Sequence, residues 1–229
     1  MSFEQDIAAQ ITASDTLTSV VGGKVTDIST RIWDKEEEVR GFVIENREQP
    51  AWMRISKNQR LLGTDQSIPD FWESAGGITY TLVHTVGADT AWVDRPEIEQ
   101  EILAAMGRHG AGNIHLSFNI WRMDWANMVG SAHTFFQRHN TASATTVAAY
   151  TKLLSGEIAY NWAHGATSEW KLTGTYFPQN SNGHLVTHPM RRTPDGSMLF
   201  ALPAAVSGNV PLDDNIWGLF PYIGDTPDE

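Results

Sequence analysis

Between Ile78 and Ile120 the chain changes its hydrophobic period twice, and this double change limits the fold more than any other feature. Ile78, Tyr80, Leu82, His84 and Val86 alternate with Thr79, Thr81 and Thr85. A period of two is that of a strand, so these five side chains are expected on one face. The period then lengthens. Asp94 offers a cap, Pro96 sits in a first turn, and Glu97 takes the capping-box position. Ile98, Ile102, Leu103 and Met106 form the apolar stripe of a helix, and Gly107 and Gly110 close it. Alternation returns at Ile114, Leu116, Phe118 and Ile120. Strand, helix and strand in this order, with one face of each apolar, predict an α+β unit with a mostly antiparallel sheet.

The flanking segments extend this pattern. Phe3, Ile7, Ala8 and Ile11 share a helical face, with Ser2 and Gln5 spaced as a capping box. A second short helix is expected over Asp15–Val21, stopped by Gly22-Gly23. Ile28, Thr30 and Ile32 then alternate, which predicts a strand ending at Trp33. Asp34–Arg40 is charged and reads as an exposed loop, and Ala51–Lys57 alternates again as a strand. In the second half, Val147, Tyr150, Leu153, Leu154 and Ile158 suggest a helix, and Trp170, Leu172, Gly174 and Tyr176 a strand. Pro178–Gly183 reads as a turn. Leu185–His188 and Met198–Leu202 could pair across the turn-forming Thr193-Pro194-Asp195-Gly196. From Gly208 the chain holds too many prolines and glycines for a helix and reads as an extended arm. The expected fold is α+β: a mostly antiparallel twisted sheet flanked by helices on one face, with a long insertion and an extended C-terminal arm. The expected divisions are a core over 1–124, an insertion with a helix over 125–167, a strand and hairpin continuing the sheet over 168–207, and the arm over 208–229.

Composition narrows the function. The 229 residues carry 16 Lys+Arg against 27 Asp+Glu, a formal net charge of −11. That argues against a reader of nucleic-acid sequence and against a binder of anionic membranes, both of which need clustered positive charge. No cysteine is present, which excludes disulfides, thiol catalysis and thiolate zinc sites. The start MSFEQDIAAQ has no apolar core of a signal peptide, and no run reaches the ~20 apolar residues of a membrane span. No membrane partner is expected.

Motifs for catalysis are sparse. His184 and His188 are four apart and His133 and His139 six apart, without an HExxH or a facial ligand set; packing or surface histidines are the simpler reading. There is no GxSxG nucleophile elbow and no phosphate-cradling GxxxxGK[ST]. The glycine-rich run Gly107–Gly112 follows a helix and precedes a strand, the reverse of the order that aims a helix N-terminus at an anion. Nine tryptophans could stack on sugars, but they are spread along the chain and several fall in expected strands, where aromatics pack as core. No catalytic residue, cofactor or metal is assigned. A metal-dependent or carbohydrate-active enzyme stays as the alternative of another class, requiring histidines or carboxylates to converge in a pocket.

The order of elements from Met1 to Ile120 resembles the tail-terminator (tail-completion) proteins of long-tailed bacteriophages. The resemblance rests on the Phe-Glu-Gln-Asp-Ile start, on Ser19-Val20-Val21-Gly22-Gly23-Lys24-Val25 leading into a strand, and on Ala51–Ile55. It continues through Tyr80–Val86 and the helix bearing Ile98, Ile102, Leu103 and Met106, with Trp170–Phe177 as a last strand. It implies a structural, non-enzymatic virion protein assembled in the host cytoplasm. Copies would form a hexameric ring that caps the tail tube and stops its polymerisation. The tail-tube protein and the head-side neck or connector protein would be its partners, and DNA would pass through without specific binding. A neck, connector or other tail structural protein is the neighbouring alternative. Contact candidates are Trp33, Asp34, Glu36, Glu37 and Glu38 in the charged stretch, and Ile216, Trp217, Leu219, Phe220 and Tyr222 in the arm, since apolar side chains on an irregular tail dock on something.

Overall fold

The computed structural model describes residues 3–48, 52–63, 67–74, 76–110, 114, 117–129, 134–139, 143–178, 185–213 and 216–222, leaving aside the side chains of 37–48 and 185–186. The chain divides into two compact units, Met1–Ala51 and Trp52–Glu229.

The first unit is one helix, α1, Phe3–Glu48, of 46 residues. At 1.5 Å per residue it is about 69 Å long. The expected stop at Gly22-Gly23, the strand Ile28–Trp33 and the loop Asp34–Arg40 are all replaced by this continuous helix. Ile28 and Ile32 are four apart and so share a helical face as readily as a strand face. Neither Gly22 nor Gly23 takes a positive φ, so neither terminates the helix. The capping-box residue Ser2 lies outside the described residues.

The second unit is built on a five-stranded antiparallel sheet, which confirms the α+β class. Its strands are β1 (Ile78–Val86), β2 (Phe118–Trp125), β3 (Thr145–Ser155), β4 (Lys171–Phe177) and β5 (Gly196–Ser207), in the order β1-β2-β5-β3-β4. The helix α2, Glu97–Ala105, lies between β1 and β2 in sequence. It starts later than expected. Asp94 ends a 3₁₀ turn, Trp92–Asp94, and Pro96 is the cap. The second strand is also displaced: it starts at Phe118 and runs to Trp125, while Ile114 is buried outside any strand and Leu116 is outside the described residues.

Along the inner strands β2, β5 and β3 both faces of the sheet are buried. Along β2, Phe118 and Ile120 join one apolar cluster with Ile102, Leu103, Tyr150 and Trp217. Trp121, Met123 and Trp125 join another with Trp72, Phe135, Trp162 and Phe200. A strand buried on both faces is apolar without clear alternation. This explains two departures from expectation. The segment expected as a helix within 125–167 is the inner strand β3, whose Thr145, Thr146, Val147, Tyr150 and Thr151 favour strand and are all buried. Met198–Leu202 forms no hairpin with Leu185–His188; it belongs to β5, paired with β2 and β3. Leu185–Val186 instead pairs with Arg138–His139, and Met190–Arg191 pairs with Ile158–Ala159. Beyond Pro178, the expected turn lies outside the described residues.

Irregularities fix the geometry. The register of β1 on β2 shifts between Leu82 and His84. Ile78, Tyr80 and Leu82 therefore pack with the Trp121 cluster, whereas Val86 packs with α2, so the five residues expected on one face are split between two. In β5 the register on β3 shifts twice, between Ser197 and Met198 and between Ala201 and Ala204, and at the second Leu202 has φ 51° and Pro203 supplies no ladder N–H. Among the described residues of the expected strand Ala51–Lys57, Arg54 bridges Val206 and Tyr222, Ile55 N–H donates to Ala205 O at 2.8 Å and Ser207 N–H to Met53 O at 2.9 Å.

Candidate functional site

The largest unmatched feature is on α1. Its sequence is a poor helix former by composition, with 15 β-branched residues and three glycines among 46. Each such residue weakens an isolated helix, and helices in proteins owe most of their stability to packing of an apolar face. Yet Ile7, Ile11, Val21, Val25, Ile28 and Ile32 are between 42 and 58% exposed. Their separations of three, four and seven, with one gap of ten from Ile11 to Val21, keep them along one side of the helix. Phe3, Leu17, Val20 and Trp33 are exposed on the same helix outside this line, so α1 carries more uncovered apolar surface than single scattered residues would. The threonines are accommodated locally: Thr12, Thr16, Thr18, Thr26 and Thr30 each donate their hydroxyl to the carbonyl four residues earlier. None of the stripe residues was among the contact candidates. Their spacing was the available signal, masked by the Gly22-Gly23 stop and by the local alternation at Ile28–Ile32.

The charged candidates also fall on α1. Trp33, Asp34 and Glu36 are exposed on it. Glu37 and Glu38 lie within the helix, and their side chains are outside the described residues.

The arm candidates dock on their own domain. Trp217 is buried beside Tyr150 and Leu202, with Phe220 edge-on to it at 5.0 Å between centroids. The backbone around it is held from several directions. Tyr150 Oη donates to Trp217 O at 3.3 Å, Gln59 Nε2 to Gly218 O at 2.8 Å, and Arg54 N–H to Pro221 O at 2.8 Å. Phe220 N–H donates to Gln59 Oε1 at 3.1 Å, and the Arg54 guanidinium sits 5.4 Å from the Tyr222 ring centroid. Ile216 packs against the same cluster. Leu219 stays 40% exposed and, with Met106, Arg108, Ile114, Phe118, Leu202 and Gly218, lines a pocket of about 260 Å³.

Titratable groups meet at the junction of β1 and α2. Glu99 accepts from His84 Nε2 at 2.6 Å on one oxygen and from Arg95 Nη1 on the other. Arg95, whose side chain is fully buried, also donates to Gly87 O at 3.0 Å. Each oxygen of Glu99 is thus engaged, and the trio ties the start of the helix to the strand behind it. Among the described residues no three His, Asp or Glu side chains converge as metal ligands would. His133 and His184 lie outside them.

The tryptophans are mostly structural. Trp72, Trp121, Trp125, Trp162, Trp170 and Trp217 are buried, and Trp72 stacks on Phe135 at 4.3 Å. They form no exposed platform for a sugar ring. Among the described residues no helix is long and apolar enough to cross a membrane. Compared with protein-family models and with curated protein sequences, the chain finds no match.

Proposed function

We propose that this is a structural protein that assembles with copies of itself through α1 and carries the β-rich unit as a folded module. The observation that supports this is the exposed apolar stripe on a helix too poor in intrinsic propensity to stand without a partner. A bacteriophage tail is the setting that the sequence resemblance suggests. Of the elements that carry that resemblance, the strand through Tyr80–Val86, the helix bearing Ile98, Ile102 and Leu103, and a strand within Trp170–Phe177 are present in the chain as β1, α2 and β4. The hexameric ring is implied by that resemblance as a whole, and the helix, short helix and strand expected before Asp34 are replaced in the chain by α1. The broader reading, a tail structural protein, is therefore the one adopted.

Light scattering after size exclusion, across a range of concentrations, tests the assembly. A mass that is a multiple of 25.4 kDa supports it, and 25.4 kDa at every concentration refutes it. Immunogold electron microscopy of phage particles tests the setting. Label on the tail supports it; particles free of label overturn it.

A further inference from the structure

We infer that α1 is one strand of a parallel, in-register coiled coil made by three copies of this chain. The inference rests on the self-assembly reading and gives it a symmetry and a partner. The stripe follows a strict alternation of four and three from Ile7 to Phe42, which spans five heptads. Ile11, Thr18, Val25, Ile32 and Val39 occupy a, and Ile7, Ser14, Val21, Ile28, Lys35 and Phe42 occupy d. Eight of these eleven positions are apolar. A heptad seam sustained at this length is covered by other helices with the same repeat, because knobs of one helix need the matching holes of the next. A second and third copy of the chain supply that repeat in register.

The residue types favour more than two strands, and three is the smallest number that meets this. Leucine at d with β-branched residues at a favours two strands, whereas isoleucine at both a and d shifts the preference upward to three or four. Here a is entirely β-branched and no d position holds leucine. Thr18, the polar residue at a, already donates its hydroxyl to Ser14 O at 2.9 Å, so it enters the seam with its proton engaged. The flanking charges suit parallel chains. Arg31 at g faces Glu36 at the following e position of its neighbour, the pairing that parallel coiled coils use. Glu36 thereby keeps a contact role, while Trp33, at b, faces away from the seam.

Oxidative cross-linking of the full chain tests this without background, because the protein has no cysteine. Ser14→Cys places one thiol per chain at a d layer near the start of the helix. Three parallel, in-register helices bring these thiols within disulfide reach. Oxidation should then yield a cross-linked dimer plus free chain on a denaturing gel, from a native particle of about 76 kDa, three times 25.4 kDa. Thr16→Cys, on the outer face, should stay uncrosslinked. Val25→Asp should lower the mass to 25.4 kDa, while the near-ultraviolet signal of the tryptophans from Trp52 onward is unchanged. A particle that keeps its mass in Val25→Asp, an oligomer of a number of chains other than three, or Ser14→Cys chains that never cross-link would overturn the three-stranded coiled coil and leave self-assembly standing. A monomer of unaltered protein at every concentration would overturn both.

Discussion

Replacing Gly22 and Gly23 by alanine decides whether α1 is continuous, and the two possible structures predict opposite signs. Inside a helix, glycine is less favourable than alanine by about 0.8–1.0 kcal/mol per residue. A Cβ built on either residue meets nothing within 4 Å, so no steric term opposes the gain. The pair should therefore stabilise the helix by about 2 kcal/mol per chain, or about 6 kcal/mol for a particle of three. With unfolding entropies of the usual size, this raises the helix melting temperature on the order of 10–20 °C. The assay is ellipticity at 222 nm against temperature at fixed protein concentration, since an oligomer's midpoint depends on it. Tryptophan fluorescence, dominated by the second unit, serves as an internal reference and should not shift. If the two glycines instead ended a helix in the left-handed region, as the sequence alone suggested, alanine would strain that turn and lower the midpoint. An unchanged or lowered midpoint in the double variant refutes the continuous helix, and with it the seam that crosses Val21 and Val25.

Three further outcomes follow from the second unit. Glu99→Gln leaves Arg95 buried without its counter-charge and should destabilise by about 3–5 kcal/mol in urea unfolding, while Arg95→Met with Glu99→Leu should recover most of the loss. Gly174→Ala should destabilise by about 1–3 kcal/mol in the same assay, because the added Cβ falls 2.5 Å from both Val147 O and the Ala148 Cβ in the neighbouring strand. Burial holds the Tyr80 hydroxyl well above its ordinary value of 10.0, against the lowering effect of its hydrogen bond to Ser74. The unfolded chain therefore releases this proton first, and the stability it contributes, complete below about pH 10, is lost as pH rises beyond that. Absorbance titration at 295 nm should show Tyr80 ionising only with unfolding, a delay that Tyr80→Phe removes.

The sequence revealed elements most readily where exposed polar residues recur at the element's own period. The alternation of β1 and the stripe of α2 are visible because Thr79, Thr81 and Thr85, or Glu97 and Glu101, stand on the opposite side. β3 and β5 lack that contrast. Val147 and Ala149 pack on one face while Ala148 and Tyr150 pack on the other, so period two vanishes from the sequence and a helix fits the spacing equally well. The bulge at Val83 is invisible for a different reason. It arises where β1 pairs with β2, and no local pattern announces that the face of His84 changes. α1 was misread because two glycines and a short alternation outweighed a repeat that shows only over several turns.

The candidate contacts in the arm and on α1 separate on the same grounds. An apolar side chain in an irregular tail has two possible partners, its own domain or a neighbour, and sequence cannot distinguish them. Packing does. Trp217, Ile216 and Phe220 already bury their surface on β3, β5 and the residues around Gln59, and the local backbone accepts or donates at Gln59, Arg54 and Tyr150. To reach a second chain, the arm would first have to give up these contacts, including a tryptophan whose removal from a core costs about 3–5 kcal/mol. The stripe on α1 has no such loss to offset: Ile11, Val25, Ile28 and Ile32 remain more than half exposed. If copies associate as proposed, covering the helix therefore gains more than displacing the arm, and a deletion of the arm's contacts should cost the second unit stability before it costs assembly.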